Sequence, residues 1–380
     1  MHHNVKIIFL SVFFTIIMFL LFFFKPISSY IYYSIYNKEN LIVNVSVVNS
    51  QIHTLSAESS NRVFLKASVK NPEGFPMSNA PLRIFIENGT GELSVQKEST
   101  NSLGECLFSY TPKNYYELQG ETSNPNVKIT AQIKNSTKSS SKEFKLISTP
   151  VILIYGYQEA SDVYYHLSEY LTEKNFYCST MEYDSKGGVI PGAKVLENYL
   201  NNKKQEFINK GILVNKFTLI THSMGGLVAR SYTASDAYIK NEDVNKIIFI
   251  SVPHKGSYFA ALGENFYNDV SIKDLAPDST LFTDIFETSI NKGLNRSIQI
   301  ANITSQYDEV VTEESSSLDQ WKIDTEMFNI GDNNFTVDSI LSGDLLNAPN
   351  HKGILNNKKV FQRIEEMLNT NLAYPSEIQD

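Results

Sequence analysis

The spacing of apolar residues changes twice along the chain. Residues 7–24 are almost uniformly apolar and are interrupted only by Ser11 and Thr15. From about Leu41 to Ile147, short apolar runs alternate with polar residues at a period of two, which is typical of β-strands. After residue 150, short continuous apolar runs alternate with longer amphipathic segments. That pattern predicts strands alternating with helices, in a mostly parallel sheet with helices on both faces.

The middle part is predicted to be a β-sandwich over residues 41–148. Turn residues such as Asn71–Gly74 and Asn88–Gly91 separate its apolar runs. Several short strands at that spacing, without helical periodicity between them, indicate a sandwich of about 100 residues. The polar stretch 134–142 is assigned to a hairpin loop before a last strand. The strands assigned from pattern are 41–48, 63–69, 82–87 and 143–147.

The remaining part, residues 149–375, is predicted to be a catalytic domain of the α/β class, with the boundary near Ser148–Pro150. Its first strand, Val151–Tyr155, is uninterrupted in apolar character, as expected for a strand covered on both faces. Later strands are predicted at 176–182, 216–221, 246–252, 297–304 and 326–330. Helices are predicted at 162–174, 192–209, 224–234 and 358–371.

The amino-terminal segment predicts a membrane anchor within residues 1–30. Its eighteen-residue apolar run is long enough to cross a bilayer. A cleavable signal peptide has a shorter apolar core and a small-x-small cleavage site, which the following Lys25–Tyr30 lacks. We therefore favour an uncleaved signal anchor over a cleaved signal peptide. The short amino end would stay in the cytoplasm, and the rest would be exported as the extracellular part of a single-pass protein.

Composition and charge narrow the class of function. The formal net charge of −8 over 380 residues gives no basic field, so nucleic acid is not an expected partner. The two cysteines, Cys106 and Cys178, fall in different predicted domains and indicate no disulfide framework. Neither cysteine lies in metal-ligand spacing, and we expect neither a metal nor another cofactor.

A candidate nucleophile follows the strand that ends near Thr221. A serine hydroxyl needs an adjacent base, an exposed position and amide donors for the oxyanion. In Thr221-His222-Ser223-Met224-Gly225-Gly226 a buried strand breaks at Ser223 and an apolar-faced helix begins at once. Such a turn lifts the serine above the sheet and leaves the Met224 amide at a helix amino terminus. Thr221 stands where the G-x-S-x-G pattern has its first glycine.

The acid and the base are expected downstream, because the chain order in this architecture is serine, acid, histidine. Asp308 lies in the loop after the predicted strand 297–304, with Glu309 and Asp332 as alternative acids. His351 is the last histidine and precedes the terminal helix. His254, which comes before the acid, is assigned a structural role. The expected triad is Ser223, Asp308 and His351.

Several segments resemble bacterial lipases and esterases of the α/β-hydrolase superfamily. Val151–Tyr157 resembles the turn that follows their first strand, which implies the Tyr157 amide as the second oxyanion donor beside Met224, with Gln158 as the alternative. Ile250–Ser257, the Asp274–Ser279 stretch and Asn350–Leu355 resemble lipase segments that follow the elbow. The resemblance covers roughly residues 150–370 and implies an α/β-hydrolase fold.

The region 257–295 is too long for a simple connection and is predicted to be a cap over the substrate pocket. Its aromatic residues either line an acyl site or pack a helix against the core. They are Phe259, Phe266, Tyr267, Phe282 and Phe286.

The predicted sandwich resembles the bacterial Ig-like domains of the invasin and intimin type. The similar segments are Asn71–Met77, Gly89–Leu93 and Ser99–Gly104. In that family such domains are spacers or adhesive modules on cell surfaces, so the resemblance implies contact with the cell envelope.

Together these features predict a membrane-anchored extracellular lipase or carboxylesterase that acts on a lipid or another ester. A transacylase or amidase on cell-envelope lipids would use the same triad. A surface adhesion protein with a catalytically silent hydrolase fold is the alternative from another class.

Overall fold

The computed structural model describes residues 37–48, 50–118, 125–258, 260, 268–286, 298–319, 326–330 and 349–372. The described residues form two compact units. The first runs from residue 37 to Leu146, apart from Ser56–Ser60 and residues 114–118. The second comprises those two short segments and the described residues from Ile147 onward.

The first unit is built from strands joined by short turns. After a 3₁₀ turn at Lys38–Asn40, its strands are β1 (Ile42–Val47), β2 (Thr54–Ser56), β3 (Val63–Lys70), β4 (Leu82–Asn88), β5 (Glu92–Val95), β6 (Glu105–Thr111), β7 (Asn126–Ile133) and β8 (Ser139–Ile147).

Two sheets make up this unit. One has the strand order β1-β3-β6-β5, and in the other β2, β8, β7 and β4 are neighbours in that order. The pairs β1–β3, β3–β6, β5–β6, β4–β7 and β7–β8 are antiparallel. Alternate residues of β3 are buried, and Tyr110 of β6 stacks on Phe144 of β8 with ring centroids 6.5 Å apart. The period-two pattern therefore marks the faces that the two sheets turn toward each other.

The hairpin between β7 and β8 is shorter than the polar stretch 134–142 predicts. Its loop covers only residues 134–138, because β8 begins at Ser139 and pairs with Gln132 there. The first residues of β8 are polar and alternate between exposed and half-buried. A strand whose two faces are both polar has no hydrophobic period, so the pattern identified only its apolar end.

The second unit alternates strands and helices. A short helix, α1 (Tyr115–Leu118), is followed by β9 (Val151–Ile154), a 3₁₀ turn (Ser161–Tyr164), α2 (Tyr165–Glu173), β10 (Cys178–Thr180), α3 (Val189–Asn209), β11 (Ile212–Leu213), β12 (Phe217–His222), α4 (Met224–Thr233), α5 (Asp236–Asn241), β13 (Val244–Ile250), α6 (Val270–Asp274), a π-helical turn (Leu281–Ile285), β14 (Gln299–Ser305), α7 (Glu313–Ser316), β15 (Glu326–Ile330), a 3₁₀ turn (Gly353–Asn356) and α8 (Lys358–Leu368).

Six of these strands form one sheet in the order β10-β9-β12-β13-β14-β15. All five neighbouring pairs are parallel. The predicted mostly parallel α/β sheet is thus confirmed. Because parallel strands end at a common edge, the turns after β9, β12 and β14 lie at the same edge of the sheet.

Helices cover both faces of this sheet. Ile152, Leu219 and Phe249 pack with α3 and α4 on one face. Leu153, Ile220 and Ile248, their neighbours in sequence, pack with α2 and α8 on the other. Continuous apolar runs are what strands buried on both faces require.

The start of α3 lies three residues before its predicted start at Gly192. The helix begins at Val189 and includes Pro191 in its first turn. Proline is tolerated there because the first amides of a helix have no partner within the helix.

The predicted anchor at 1–30 lies outside the described residues. Within the residues that are described, no helix has both the length and the apolar character needed to cross a bilayer.

Candidate active site

Ser223 occupies a strained turn between β12 and α4. Its φ of 50° and ψ of −129° are unusual for a residue with a side chain. The Ser223 amide donates to Ile250 O at 3.0 Å, and Ser223 O accepts from the Gly226 amide at 3.0 Å. These bonds hold the residue at the carboxyl end of β12, where α4 begins with Met224. The Met224 amide therefore belongs to the group that the helix itself leaves without a partner.

Close packing of α4 on β9 explains the small residue after the nucleophile. A Cβ atom on Gly225 would lie 2.5 Å from Tyr155 O and would also collide with Ile154 O. Only glycine fits at this position. On the other side of the elbow, Thr221 remains in the extended strand and is paired with Ile154 and Phe249. The β-branched residue is therefore compatible with the turn.

The structure brings Ser223, His351 and Asp308 into one hydrogen-bonded chain. His351 Nε2 lies 3.0 Å from Ser223 Oγ. His351 Nδ1 lies 3.0 Å from Asp308 Oδ1 and 2.9 Å from Oδ2. In this arrangement the carboxylate fixes the imidazole tautomer, which leaves Nε2 to accept the serine proton.

The carboxyl group of Asp308 is held in its ionised form. Its side chain is 1% exposed, and burial alone would raise its pKa. The hydrogen bond and the charge of His351, together with the Val311 amide, outweigh burial and lower the pKa. The amides of Val310 and Val311 donate to Oδ1 at 2.9 and 2.8 Å.

The alternative acids differ in position. Glu309 Oε2 accepts from the His351 main-chain amide at 3.1 Å, so this carboxylate contacts the backbone of the histidine. Asp332 lies outside the described residues. His254 is fully buried, and its Nδ1 accepts from Arg230 Nη1 at 2.8 Å. Burial and the Arg230 charge hold the pKa of His254 well below its ordinary value, in keeping with a structural role.

The turn after β9 lies directly against the nucleophile. A Cβ on Gly156 would be 2.8 Å from Ser223 Cβ. The Gly156 amide donates to Glu159 Oε2 at 2.6 Å, and the Gln158 amide donates to Ser185 Oγ at 3.1 Å. Gln158, the alternative oxyanion donor, is therefore engaged elsewhere. The Tyr157 amide between these two residues keeps its place as the expected donor beside Met224.

A second acid–histidine pair, which the sequence analysis did not include in the site, contacts the main chain of the triad histidine. His222 Nδ1 is 2.9 Å from Glu159 Oε2, and His222 Nε2 is 2.8 Å from the carbonyl oxygen of His351. The His222 and Glu159 side chains are 0% and 2% exposed. The partners are 63 residues apart in the chain, and no periodic pattern links them. One local feature could have pointed to Glu159. It lies three residues after Gly156, a spacing at which its carboxylate can accept from the Gly156 amide.

The described part of the expected cap contacts the turn after β9 and the start of α3 through polar groups. Tyr157 donates from its hydroxyl to Asp269 Oδ2 at 2.6 Å, and the Val189 amide donates to Asp274 Oδ2 at 2.8 Å. Phe286 is fully buried, with the Arg230 guanidinium 4.2 Å from its ring centre. For this residue, packing against the core accounts for the aromatic side chain. Phe259, Phe266 and Tyr267 lie outside the described residues.

Metal ligands do not cluster in the described part of the chain, where no group of three or more His, Cys, Asp or Glu side chains could hold an ion.

The family model of the PGAP1-like alpha/beta domain matches residues 159–336, which include the elbow and Asp308. The second unit has an α/β-hydrolase fold. No curated protein sequence matches the chain.

Similar solved structures have low sequence identity to the chain. The mature lipase BlEst2 of Bacillus licheniformis is 14% identical, with a TM-score of 0.46 over 58% of this chain and 91% of that one. Lipase B of Aspergillus fumigatus is 17% identical, with a TM-score of 0.42 over 60% and 54%. The ydeN gene product of B. subtilis is 14% identical, with a TM-score of 0.40 over 59% and 100%. Neighbours this distant assign no substrate to this chain.

Proposed function

We propose that the chain is a serine ester hydrolase, a lipase or carboxylesterase, that works through an acyl-Ser223 intermediate. The observation that carries the proposal is the hydrogen-bonded chain from Asp308 through His351 to Ser223. A strained elbow at the carboxyl edge of a parallel sheet is the place where this chemistry is expected.

The proposed reaction has two halves. His351 Nε2 takes the hydroxyl proton as Ser223 Oγ attacks the ester carbonyl, and the Tyr157 and Met224 amides stabilise the oxyanion. His351 then protonates the leaving alcohol as the C–O bond breaks, which leaves an acyl-serine. Water, deprotonated by His351, attacks the acyl group and releases the carboxylic acid, and Ser223 regains its proton. Asp308 stabilises the imidazolium in both halves.

The location of the enzyme is proposed from the sequence alone. The apolar segment 7–24 supports a single-pass anchor with the catalytic part outside the cell. The strands of the first unit and the turn segments that resemble invasin and intimin support an Ig-like module between the anchor and the hydrolase. A lipid ester of the membrane or cell envelope is then the substrate within reach.

The experiment that tests this function combines turnover with covalent labelling. The full chain is assayed on p-nitrophenyl esters of increasing acyl length, and its nucleophile is probed with a fluorophosphonate. We expect hydrolysis and labelling of Ser223 in the wild type. Ser223→Ala and His351→Ala should each lower kcat by roughly 10⁴-fold or more, because each removes an indispensable step. His166→Ala, on the exposed side of α2, is the control.

The outcomes separate the competing functions. Faster acyl transfer to an added alcohol than hydrolysis would identify a transacylase. Cleavage of amides in preference to esters would identify an amidase. A folded wild-type chain that neither turns over nor labels at Ser223 would contradict the proposal and favour a silent surface protein.

A further inference from the structure

The pair formed by Glu159 and His222 connects three segments that carry the reacting groups. Glu159 Oε2 accepts from the Gly156 amide at 2.6 Å, in the turn that would hold the oxyanion. His222 directly precedes the nucleophile. Its Nε2 lies 2.8 Å from the carbonyl oxygen of His351, the general base. One buried contact therefore joins the oxyanion turn, the elbow and the histidine loop.

The hydrogen-bond partners of His222 constrain its protonation. A carbonyl oxygen only accepts, so Nε2 must carry a proton to bond to His351 O. Nδ1 faces a carboxylate oxygen that already accepts from an amide. An imidazolium with protons on both nitrogens satisfies all three bonds. Burial lowers the pKa of His222, but the Glu159 charge and hydrogen bond outweigh it and raise the pKa overall.

The negative charge of Glu159 makes the His222 imidazolium important for catalysis. Burial raises the pKa of Glu159, yet the charge and hydrogen bond of His222, together with the Gly156 amide, outweigh burial and lower the pKa. A Cβ on Gly156 would lie 3.0 Å from Glu159 Oε2 and 2.8 Å from Ser223 Cβ, so the carboxylate and the nucleophile flank the same residue. An uncompensated negative charge there would oppose the oxyanion that forms on the substrate. An imidazolium at His222 cancels it.

We propose that Glu159 and His222 form a buried ion pair that positions the oxyanion turn and the His351 loop for ester hydrolysis and neutralises the carboxylate beside the nucleophile. The two residues are positioning residues, because neither reaches the reacting atoms in the proposed mechanism. This inference rests on the proposed function.

A single and a double variant of the full chain test the pair. His222→Gln leaves Glu159 buried without its cation, and we expect kcat to fall about 100-fold with little change in KM, because the reacting groups are misplaced. In Glu159→Gln/His222→Gln the uncompensated charge is gone, and kcat should be about tenfold higher than in His222→Gln alone. A pair that only stabilises the fold would also recover stability in the double variant, so kcat is measured per folded molecule, a quantity that a purely structural pair would leave unchanged.

The chain offers a matched control pair on α2. His166 Nδ1 and Glu169 Oε2 lie 3.9 Å apart with side chains 65% and 54% exposed. Glu169→Gln/His166→Gln should retain the wild-type kcat and KM. Wild-type kcat in His222→Gln, or a double variant no better than the single one, would overturn the proposal.

A spectroscopic measurement keeps the proposal testable if His222→Gln does not fold. In histidine-selective ¹⁵N spectra of the wild type at neutral pH, His222 should show protons on both ring nitrogens. A neutral ring with one proton would overturn the ion pair. If this imidazolium is present but the wild type hydrolyses no ester and Ser223 is not labelled, the proposed function has failed while the pair stands.

Discussion

At the scale of single residues, the candidate site contains two layers of acid–histidine contacts. Asp308 contacts the ring of His351, while Glu309 and His222 bond to its main-chain amide and carbonyl. The histidine is thus fixed through both its side chain and its peptide groups. Only Asp308 places a negative charge against the imidazole ring. Glu309 and His222 hold the loop through its main chain, so Asp308 is the acid of the triad.

Replacing the two neighbouring carboxylates tests that separation. Asp308→Asn should lower kcat by about 10³- to 10⁴-fold, because the amide cannot stabilise the imidazolium and favours the wrong tautomer. Glu309→Gln preserves an oxygen acceptor for the His351 amide and should lower kcat less than tenfold. Steady-state kinetics on a p-nitrophenyl ester measures both. If Asp332→Asn is the variant that loses activity while Asp308→Asn does not, the acid is misassigned.

The Glu159–His222 pair also predicts how stability depends on pH. The pKa of Glu159 is lowered from 4.5, so its contribution is present above pH 4.5 and is lost as pH falls through the folded value. The pKa of His222 is raised from 6.5, so its contribution is present below pH 6.5 and is lost as pH rises through the folded value. Chemical denaturation of wild type and of Glu159→Gln/His222→Gln measures the difference in unfolding free energy. That difference should be largest between pH 4.5 and 6.5 and should shrink on both sides; a difference that does not vary with pH would contradict the ion pair.

How far the site was predictable depends on how local each signal is. Ser223 and His351 are singled out by a strand or helix boundary and by their order along the chain, whereas order alone leaves Glu309 and Asp332 as alternatives to Asp308. Glu159 has no such marker, because it stands in a polar turn and its partner is distant in sequence. His222 was visible in the elbow, but only the fold shows that both of its ring nitrogens face acceptors.

At the scale of elements, the active site depends on how closely α4 approaches β9. Gly225 is the residue at the contact, and the carbonyls of Ile154 and Tyr155 leave no room for a side chain. Gly225→Ala should lower the free energy of unfolding by about 2 kcal/mol, because the overpacked helix must shift. The shift also moves the Met224 amide, so kcat should fall.

Gly187→Ala is a control for that substitution. A Cβ on Gly187 meets first the carboxylate oxygen of Asp184, a flexible side-chain end, at 3.1 Å. Thermal unfolding and ester turnover should both remain close to those of the wild type. Equal losses in the two variants would show that close packing of α4 on β9 is not the cause.

The elements themselves were predictable where one physical signal dominated. The strands of the parallel sheet were found because they are apolar on both faces. The prediction for β8 omitted its first four residues, because they are polar on both faces. The start of α3 was predicted three residues too late, and the helix includes Pro191 because the first turn of a helix tolerates proline. Contacts between distant segments, such as Tyr157 with Asp269, follow from no local pattern.

At the scale of the whole molecule, the anchor remains a prediction from residues 7–24. Expressed in bacteria, the full chain should sediment with membranes and be released by detergent but not by high salt, because an apolar span is held by burial rather than charge. A chain lacking residues 1–36 should stay in the supernatant and keep its turnover on a soluble ester. Release of a shortened, soluble product from the full-length chain would instead identify a cleaved signal peptide.

The buried Lys246 has a consequence for how the protein is synthesised. Its ammonium group donates to Met367 O and Thr370 O, which lie at the carboxyl end of α8. His351 precedes this helix and is separated from Ser223 by 128 residues. A ribosome therefore completes the nucleophile long before the base, and the lysine finds its acceptors only when the last helix has been translated. A product terminated before His351 would contain the serine elbow without its proposed proton acceptor, so under the proposed function it should hydrolyse no ester.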